Sequence, residues 1–450
     1  MAPPHPGTDE PFGPASRSAG SIAELVRRAR LDPPAGDVPD LEAGHLSALV
    51  EGSQRPVARV AALSRSAQTA FRLGRASDCF ATLDQQREVA GDDQPALIWA
   101  LTSSSACRSA FGQLGRARAD LTQVKKVCNY APPLLAEPFW RFAETACHWL
   151  EGNWLAAHAG ATKIDEDRVS PFPTALAGTV AALRVELLRG LGLARECRPL
   201  AERLTTGQPA EMSAWALAGL DADDGRPADA LRRLADVCDV GARSVYRMAL
   251  PLVLHRMAEI AFSQGDQDVT SFAARALAGL DQAAPLNEIL TGLAQALATR
   301  DPEPAMRALQ IAEAEGAGML AAEALTVRGQ IGDAPATTLP AAYAAWSRIG
   351  APGKARAVAA AMRDAGLPAP VPQFRAGRVP AADPDALTER ERALARLIHE
   401  GRTNQQIART LHISVKTVEA YLTRVYRKTS CSSRVQLAVA VTERRIQVGE

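Results

Sequence analysis

The sequence lacks the features that mark membrane-spanning, exported or disulfide-stabilised proteins. No apolar run approaches the roughly 18–20 residues of a membrane-spanning helix, and residues 1–20 are proline-rich instead of carrying the basic and apolar segments of a secretory signal. The seven cysteines are scattered, with no C-x-x-C pair and no cysteine and histidine cluster at metal-ligand spacing. We therefore expect a soluble cytoplasmic protein without disulfides, bound metal or contact with a membrane.

Signatures of catalysis are missing as well. Gly353-Lys354 is followed by Ala355, which breaks the phosphate-binding loop G-x-x-x-x-G-K-[ST], and neither G-x-S-x-G nor H-E-x-x-H occurs. The chain also lacks the alternation of strands and helices that a phosphorylated receiver domain requires. We predict a protein that is not an enzyme, with no catalytic residue and no cofactor.

The composition predicts an all-α fold in several parts. The 450 residues suffice for two or three domains, and 47% of them are hydrophobic while only 5% are aromatic. Apolar residues recur at helical spacing, as in Leu231, Leu234 and Cys238, and strand-like alternation is almost absent. Proline-rich stretches divide the chain into a disordered tail, a helical-repeat domain, a linker and a C-terminal domain, at residues 1–20, 21–366, 367–382 and 383–448.

The large central part repeats one helical unit. A glycine ends a predicted helix every 33–41 residues, at Gly74, Gly115, Gly152, Gly192, Gly225 and Gly265. Five residues after each glycine stand mostly small residues, namely Cys79, Asp120, Ala157, Cys197, Ala230 and Thr270. Residues 55–365 thereby resemble a tetratricopeptide-like α-solenoid, and we predict about seven stacked helix pairs. In this arrangement Cys79 and Cys197 are core residues and not nucleophiles.

Positive charge is concentrated at the C-terminus. The whole chain holds 51 basic and 50 acidic residues, whereas residues 387–450 hold 12 basic and 6 acidic ones. This basic pole indicates a polyanionic partner.

Helix caps divide the basic region into four predicted helices. Capping boxes open the first two helices and a serine opens the third; these caps are Thr388 with Glu391, Thr403 with Gln406, and Ser414. The third helix, which ends near Lys428, buries an apolar stripe and displays a polar, largely basic face; the stripe is Val418, Leu422 and Val425. A fourth helix, from Ser433 to about Arg445, completes the core. Short helices joined by a tight turn, with a basic second member, form a helix-turn-helix suited to the major groove.

Residues 387–428 carry a specific family pattern. Their sequence, LTERERALARLIHEGRTNQQIARTLHISVKTVEAYLTRVYRK, resembles the helix-turn-helix domain of LuxR-type (NarL/FixJ-like) transcription regulators. The resemblance implies a four-helix DNA-binding domain in a regulator of transcription, more an activator than a repressor, whose partners are double-stranded DNA and RNA polymerase. Together the repeats and this domain resemble the large maltose-regulator subgroup without its N-terminal ATPase module. The Ala-rich and Arg-rich composition is typical of a bacterium with a GC-rich genome.

The resemblance also implies roles for individual residues. Base edges would be contacted by residues of the third helix, namely Lys416, Thr417, Glu419, Ala420, Thr423 and Arg424. Phosphates would be contacted by Thr403, Asn404, Ser414, Thr417, Arg427 and Lys428. A homodimer on DNA would form through Val435, Ala438, Val439 and Thr442. The helical repeats would then be the input domain, with a peptide, protein or small-molecule ligand on their concave surface.

Departures from the family pattern leave other functions open. Glu419 stands where a basic residue is common, Tyr421 replaces the usual His, and Thr429-Ser430-Cys431 replaces Leu-Gly-Val. Glu419 can accept a hydrogen bond from cytosine but repels phosphate. Thr429 in place of a buried Leu loses about 1–2 kcal/mol of apolar burial, and Ser430 in a left-handed turn costs about 1 kcal/mol. A helical-repeat scaffold or anti-regulator with a weakened DNA-binding head is therefore an alternative, and an ATP-dependent switch with a cryptic nucleotide site is a third possibility.

Overall fold

The computed structural model of the chain describes residues 56–128, 136–166, 174–204, 210–241, 247–369, 389–399, 402–411, 415–429, 431 and 437. All regular structure within these residues is helical, which confirms the predicted all-α fold. The chain divides into two units, Met1–Val371 and Pro372–Glu450. None of the helices in this described part is long and apolar enough to cross a membrane. The predicted tail and most of the predicted linker lie outside the described residues.

The first unit, which we call the repeat unit, is a succession of helix pairs. The two helices of each pair are joined by a short connection and pack closely against each other. The eight pairs seen in the described residues are α1 (Pro56–Arg72) with α2 (Ala76–Ala90), α3 (Gln94–Ala110) with α4 (Leu114–Val127), α5 (Glu137–Glu151) with α6 (Trp154–Glu166), α7 (Thr174–Gly190) with α8 (Ala194–Leu204), α9 (Ala210–Asp223) with α10 (Pro227–Gly241), α11 (Leu250–Ser263) with α12 (Gln267–Ala278), α13 (Pro285–Thr299) with α14 (Glu303–Glu315), and α15 (Gly318–Gln330) with α16 (Pro335–Ile349). A further helix, α17 (Pro352–Asp364), follows them. Their richness in Ala, Leu and Arg explains the helices, because these residues have high helix propensities.

Five of the six predicted turn glycines are confirmed, and one is wrong. Gly74, Gly152, Gly192, Gly225 and Gly265 have φ angles between 70° and 86°, the left-handed region in which a Cβ atom would be strained.

The wrong position is Gly115, which lies inside α4, while the left-handed residue of that turn is Gly112, with φ of 80°. The sequence Leu-Gly-Arg-Ala spans a turn at Leu73 but begins a helix at Leu114. Leu114 is buried in the core, and its burial places the start of α4 three residues earlier than the repeated sequence suggests.

The corrected turn restores the small-residue pattern of the helix pairs. Five residues after Gly112 stands Ala117 and not the predicted Asp120. The residues at this position in six successive pairs are all at most 1% exposed, namely Cys79, Ala117, Ala157, Cys197, Ala230 and Thr270. Small side chains at this position let the second helix of each pair approach the first closely. Cys79 and Cys197 are therefore core residues, as predicted.

Early pairs of the repeat unit contact segments that come much later in the chain, up to 204 residues away. The backbone N–H of Leu286, in the seventh pair, donates to the carbonyl oxygen of Phe111, in the second pair, at 3.0 Å. The backbone N–H and hydroxyl of Ser77, in the first pair, donate to the carboxylate of Asp281, at 2.7 and 2.9 Å. α5 likewise packs on α15, and α7 on α17. These contacts reduce the surface that an open array of repeats would leave for a ligand.

A largely buried ion-pair cluster joins three helices of the repeat unit, with Glu323 buried and Lys354 and Glu259 about one quarter exposed. Lys354 Nζ, on α17, lies 3.1 Å from Glu323 Oε2 on α15 and 3.3 Å from Glu259 Oε1 on α11. Burial raises the pKa of Glu323, and the neighbouring Glu259 raises it further, while Lys354 opposes this rise. The net effect raises the pKa of Glu323 above its ordinary value. Because buried charges are stable only when paired, this cluster ties α17 to the two earlier helices.

Candidate nucleic-acid interface

Three helices of the second unit, which we call the head, fall within the described residues. They are α18 (Glu389–His399), α19 (Asn404–Thr410) and α20 (Val415–Thr429). The predicted capping box opens α19: Thr403 Oγ1 accepts from the backbone N–H of Gln406 at 3.3 Å, and Gln406 Oε1 accepts from that of Thr403 at 2.8 Å. These reciprocal bonds satisfy two N–H groups that a helix start leaves unpaired. The helix start at Asn404 is therefore fixed by local sequence.

An apolar core fixes the angle between these helices. Its buried residues are Leu394, Ala395, Ile398, Ile407, Ala408, Val418, Leu422, Val425 and Leu437. Three of them form the stripe predicted for α20, so its inward face is confirmed. Leu437 was missed by the sequence analysis, although an apolar residue within the predicted fourth helix could have signalled it. The rest of that predicted helix, with the dimerisation candidates Val435, Ala438, Val439 and Thr442, lies outside the described residues.

The first predicted capping box of the head, Thr388 with Glu391, stays a prediction because Thr388 lies outside the described residues. Glu391 is 3% exposed and forms an ion pair with Lys428. Lys428 Nζ donates to Glu391 Oε2 at 2.6 Å. The predicted phosphate contact of Lys428 stays a prediction.

Among the side chains of α20 that the structure describes, three polar ones are exposed, those of Glu419, Thr423 and Arg424. Thr423 Oγ1 donates to the backbone carbonyl of Glu419 at 3.0 Å, so its hydroxyl can only accept a further hydrogen bond. The Arg424 guanidinium lies over the ring of Tyr421, 4.4 Å from its centroid. These three side chains therefore offer two hydrogen-bond acceptors and one strong donor.

The other predicted contact residues are distributed around α19 and α20. Thr403 is exposed, and Asn404 and Thr417 are half-buried. Ser414 and the side chains of Lys416, Ala420 and Arg427 lie outside the described residues. The described candidates thus lie at the start of α19 and along α20, the two helices of the predicted helix-turn-helix.

The end of α20 accommodates one of the departures from the family pattern. Thr429 is half-buried, and its hydroxyl donates to the carbonyl oxygen of Val425 at 2.8 Å. Cys431 packs against the core of the head. The polar group at position 429 is thereby satisfied within its own helix, which lowers the cost of replacing a leucine there.

A cavity of about 410 Å³ lies in the repeat unit, between α8, α9 and α10. Asp221 on its wall forms ion pairs with Arg226 at 2.8 Å and with Arg233 at 2.9 Å. The hydroxyl of Ser213 is buried there without a hydrogen-bond partner among the described residues. Because these wall charges neutralise one another, the cavity by itself does not specify a ligand. The described residues contain no group of three His, Cys, Asp or Glu side chains that could hold a metal ion.

Comparison with known proteins places the head in a family. Residues 385–441 match the family model of the bacterial regulatory proteins of the luxR family. The chain therefore carries a C-terminal LuxR-family helix-turn-helix domain, as the sequence predicted.

The similar curated proteins are regulators that share this segment alone. An HTH-type transcriptional regulator of Mycobacterium bovis is 47% identical over 58 residues, which are 13% of this chain and 7% of that protein. The DNA-binding transcriptional activator DevR/DosR of Mycobacterium tuberculosis is 44% identical over 57 residues, 13% and 26% of the two chains. The nitrate/nitrite response regulator NarL of Escherichia coli is 41% identical over 64 residues, 14% and 30% of the two chains. The chain thus covers less than a third of each of these relatives.

The repeat unit is not placed in a family by the solved structures. A monomeric mutant of IFIT1 aligns with 94% of this chain and 90% of its own, at 11% sequence identity and a TM-score of 0.31. That score is too low to relate the two folds. The resemblance to tetratricopeptide-type repeats stays a prediction.

Proposed function

We propose that the chain is a sequence-specific regulator of transcription that binds double-stranded DNA through its head. The observation that carries this proposal is the luxR-family match at residues 385–441, on a head whose α19 begins with a capping box and whose α20 has a polar outward face. Three relatives that share this segment are named as regulators or as an activator of transcription. We further propose that the chain activates transcription through RNA polymerase.

In this proposal α20 lies in the major groove and α19 crosses the phosphate backbone, as in other helix-turn-helix proteins. The base-edge candidates are the six named for α20 in the sequence, and three of them are exposed on its outward face: Glu419, Thr423 and Arg424. Thr403 and Asn404, at the start of α19, are the described phosphate candidates besides Thr417 and Lys428. Only base contacts select a sequence, because phosphates are the same at every position.

We propose a homodimer on DNA. Two heads that pair through the predicted fourth helix would read an inverted repeat whose half-sites are about one helical turn, roughly 10 base pairs, apart. The proposed contacts are Val435, Ala438, Val439 and Thr442.

The repeat unit is the proposed input domain. Its helix pairs provide surface for a peptide, a protein or a small molecule, and its cavity of about 410 Å³ is the described candidate for a small ligand. No cofactor or metal enters the proposal.

The test is selection of sites from a random duplex DNA library by the full-length chain at two salt concentrations. A short inverted-repeat motif that survives the higher salt is expected, because base contacts depend less on salt than phosphate contacts. Arg424→Ala should weaken binding to that motif by roughly tenfold or more.

The matched control is Arg363→Ala, which removes the same charge from an exposed site on α17 of the repeat unit. This change should leave affinity within about twofold of the original, since Arg363 is not among the proposed contacts to bases or phosphates. Absence of any motif at either salt concentration would overturn the proposal and favour the scaffold or anti-regulator alternative.

A further inference from the structure

Tyr421 and Arg424 form a stacked pair on α20. They are three residues apart, so their side chains lie on the same helical face, and the guanidinium carbon lies 4.4 Å from the centre of the phenol ring. Arg424 is exposed, whereas Tyr421 is half-buried and packs against the apolar core of the head. Packing against the core therefore orients the Tyr421 ring, and contact with this ring orients the Arg424 guanidinium.

This stacking changes what Arg424 can do at a DNA surface. An exposed arginine samples many rotamers, and fixing one of them on binding costs entropy. A guanidinium that already lies over an aromatic ring has fewer orientations to lose, so binding costs it less entropy. Two parallel donors at the edge match the O6 and N7 acceptors of guanine in the major groove.

The side chains next to Arg424 on α20 favour guanine as the base that Arg424 contacts. Glu419 and Thr423 offer only acceptors on the outward face of α20, because the Thr423 hydroxyl already donates to a backbone carbonyl. Acceptors suit the amino groups of cytosine or adenine. Arg424 is thus the strong donor among the three exposed side chains, and guanine is the base with two major-groove acceptors side by side.

We propose that Tyr421 is a positioning residue that holds Arg424 for bidentate contact with a guanine in each half-site. This inference rests on the proposed function. It gives a role to the position where the LuxR-type pattern usually has histidine, and it separates a role in base recognition from simple packing of the head.

The experiment measures binding of full-length variants to two duplexes. One is the site selected by the original chain, and the other carries adenine in place of the guanine whose selection depends on Arg424. The variants are Tyr421→Leu, Tyr421→Phe, Arg424→Ala and the double change Tyr421→Leu with Arg424→Ala. Hydrogen exchange of residues 389–429 verifies that each head is folded.

Four results are expected. Tyr421→Leu lowers affinity for the guanine site about three- to tenfold and leaves affinity for the adenine site nearly unchanged. Tyr421→Phe, which keeps the ring, binds like the original chain. Arg424→Ala abolishes the preference for guanine. The double variant binds no more weakly than Arg424→Ala alone, because Tyr421 acts through Arg424.

Other results overturn the inference and are distinct from failure of the proposed function. Equal loss on both duplexes, or further loss when Tyr421→Leu is added to Arg424→Ala, would show that Tyr421 only packs the head. If Tyr421→Leu does not fold, Tyr421→Met, which keeps an unbranched apolar side chain, takes its place in the same comparison. If the original chain selects no motif at all, the proposed function fails, and this inference fails with it.

Discussion

Lys428 Nζ donates a hydrogen bond to Glu391 Oε2 at 2.6 Å, and this ion pair joins the last turn of α20 to the first turn of α18. The Glu391 side chain is 4% exposed and that of Lys428 is 15% exposed. The pair therefore fixes the helix with the proposed base contacts to the helix behind it, at the end where the apolar core gives way to solvent.

Glu391→Ala is expected to destabilise the head by about 3 kcal/mol, because it removes the carboxylate that pairs with the largely buried Lys428 ammonium. The double change Glu391→Leu with Lys428→Met should recover most of that loss, since apolar residues of similar size can replace a buried ion pair. Hydrogen exchange of residues 389–429 in the full-length chain measures both. Glu419→Ala, which removes an exposed carboxylate from α20, is the matched control. Equal destabilisation by the single and double changes would contradict this role.

Gly112→Ala is expected to destabilise the repeat unit more than Gly265→Ala. Both positions have left-handed φ angles, 80° and 72°, so both changes cost about 1 kcal/mol in strain. A Cβ atom at Gly112 would also lie 3.0 Å from the backbone nitrogen of Leu286, whereas nothing lies within 4 Å of one at Gly265. We expect the added crowding to cost a further 1–3 kcal/mol or so. The free energy of unfolding in denaturant measures the difference.

Gly115→Ala serves as the opposite control. Gly115 lies within α4 and has open space around a Cβ atom, so alanine should stabilise the chain by about 0.5–1 kcal/mol. Destabilisation by this change would show that the turn lies at Gly115 and not at Gly112.

We expect Glu323 to make a contribution to the free energy of unfolding that decreases as pH rises above 4.5, the ordinary pKa of glutamic acid. Burial raises the pKa of Glu323, so the folded chain keeps a proton that the unfolded chain has released. Stability from such a group is present below the unfolded pKa and is lost as pH rises towards the folded one. Glu323→Gln should remove this contribution. The unfolding free energy of both chains at pH 7–9, followed by tryptophan fluorescence, measures it.

The range above pH 7 avoids an opposing contribution from His255. Burial lowers the pKa of that histidine to about 4, so its effect on stability appears as pH falls below 6.5, where the unfolded side chain takes up a proton. Glu313→Gln, at an exposed position on α14, is the control and should leave the pH dependence unchanged. An unchanged pH dependence in Glu323→Gln would refute the raised pKa of Glu323.

Thiol reagents are expected to modify two of the seven cysteines quickly. Cys128 and Cys431 are partly exposed, and the other five are buried. Burial raises the pKa of Cys147 and of Cys238 to about 12, which keeps these thiols protonated and unreactive. A colorimetric thiol titration should therefore give two fast thiols in the native chain and seven after unfolding. Cys431→Ser should leave one fast thiol, and a fast third thiol would contradict the assignment of the buried cysteines to the core.

Much of the fold could be predicted because its determinants are local. The capping box of Thr403 and Gln406 needs only four consecutive residues, and a left-handed glycine acts within one turn. The apolar stripe of α20 follows from helical periodicity. The same local logic failed at Gly115, because identical four-residue sequences adopted different conformations in different surroundings.

In the head, too, some features could be predicted from the sequence and others depend on tertiary contacts. Its family resemblance and the outward position of Glu419 and Arg424 could be read from the sequence. The burial of Glu391 could not, since an acidic residue three positions after a threonine fits an exposed capping box equally well. The contact between Tyr421 and Arg424 is possible at their spacing, but the orientation of the ring depends on the core behind it.

The sequence by itself determined the all-α class, five of the six turn positions and the helix-turn-helix character of the head, because caps, glycine conformation and periodicity act between residues close in the chain. The tertiary structure alone decided which residues meet across long separations: Phe111 with Leu286, Lys354 with Glu259, and Glu391 with Lys428. Such contacts depend on how successive helix pairs and packed cores bring distant segments together, and many sequences with the same local pattern would bring different residues into contact.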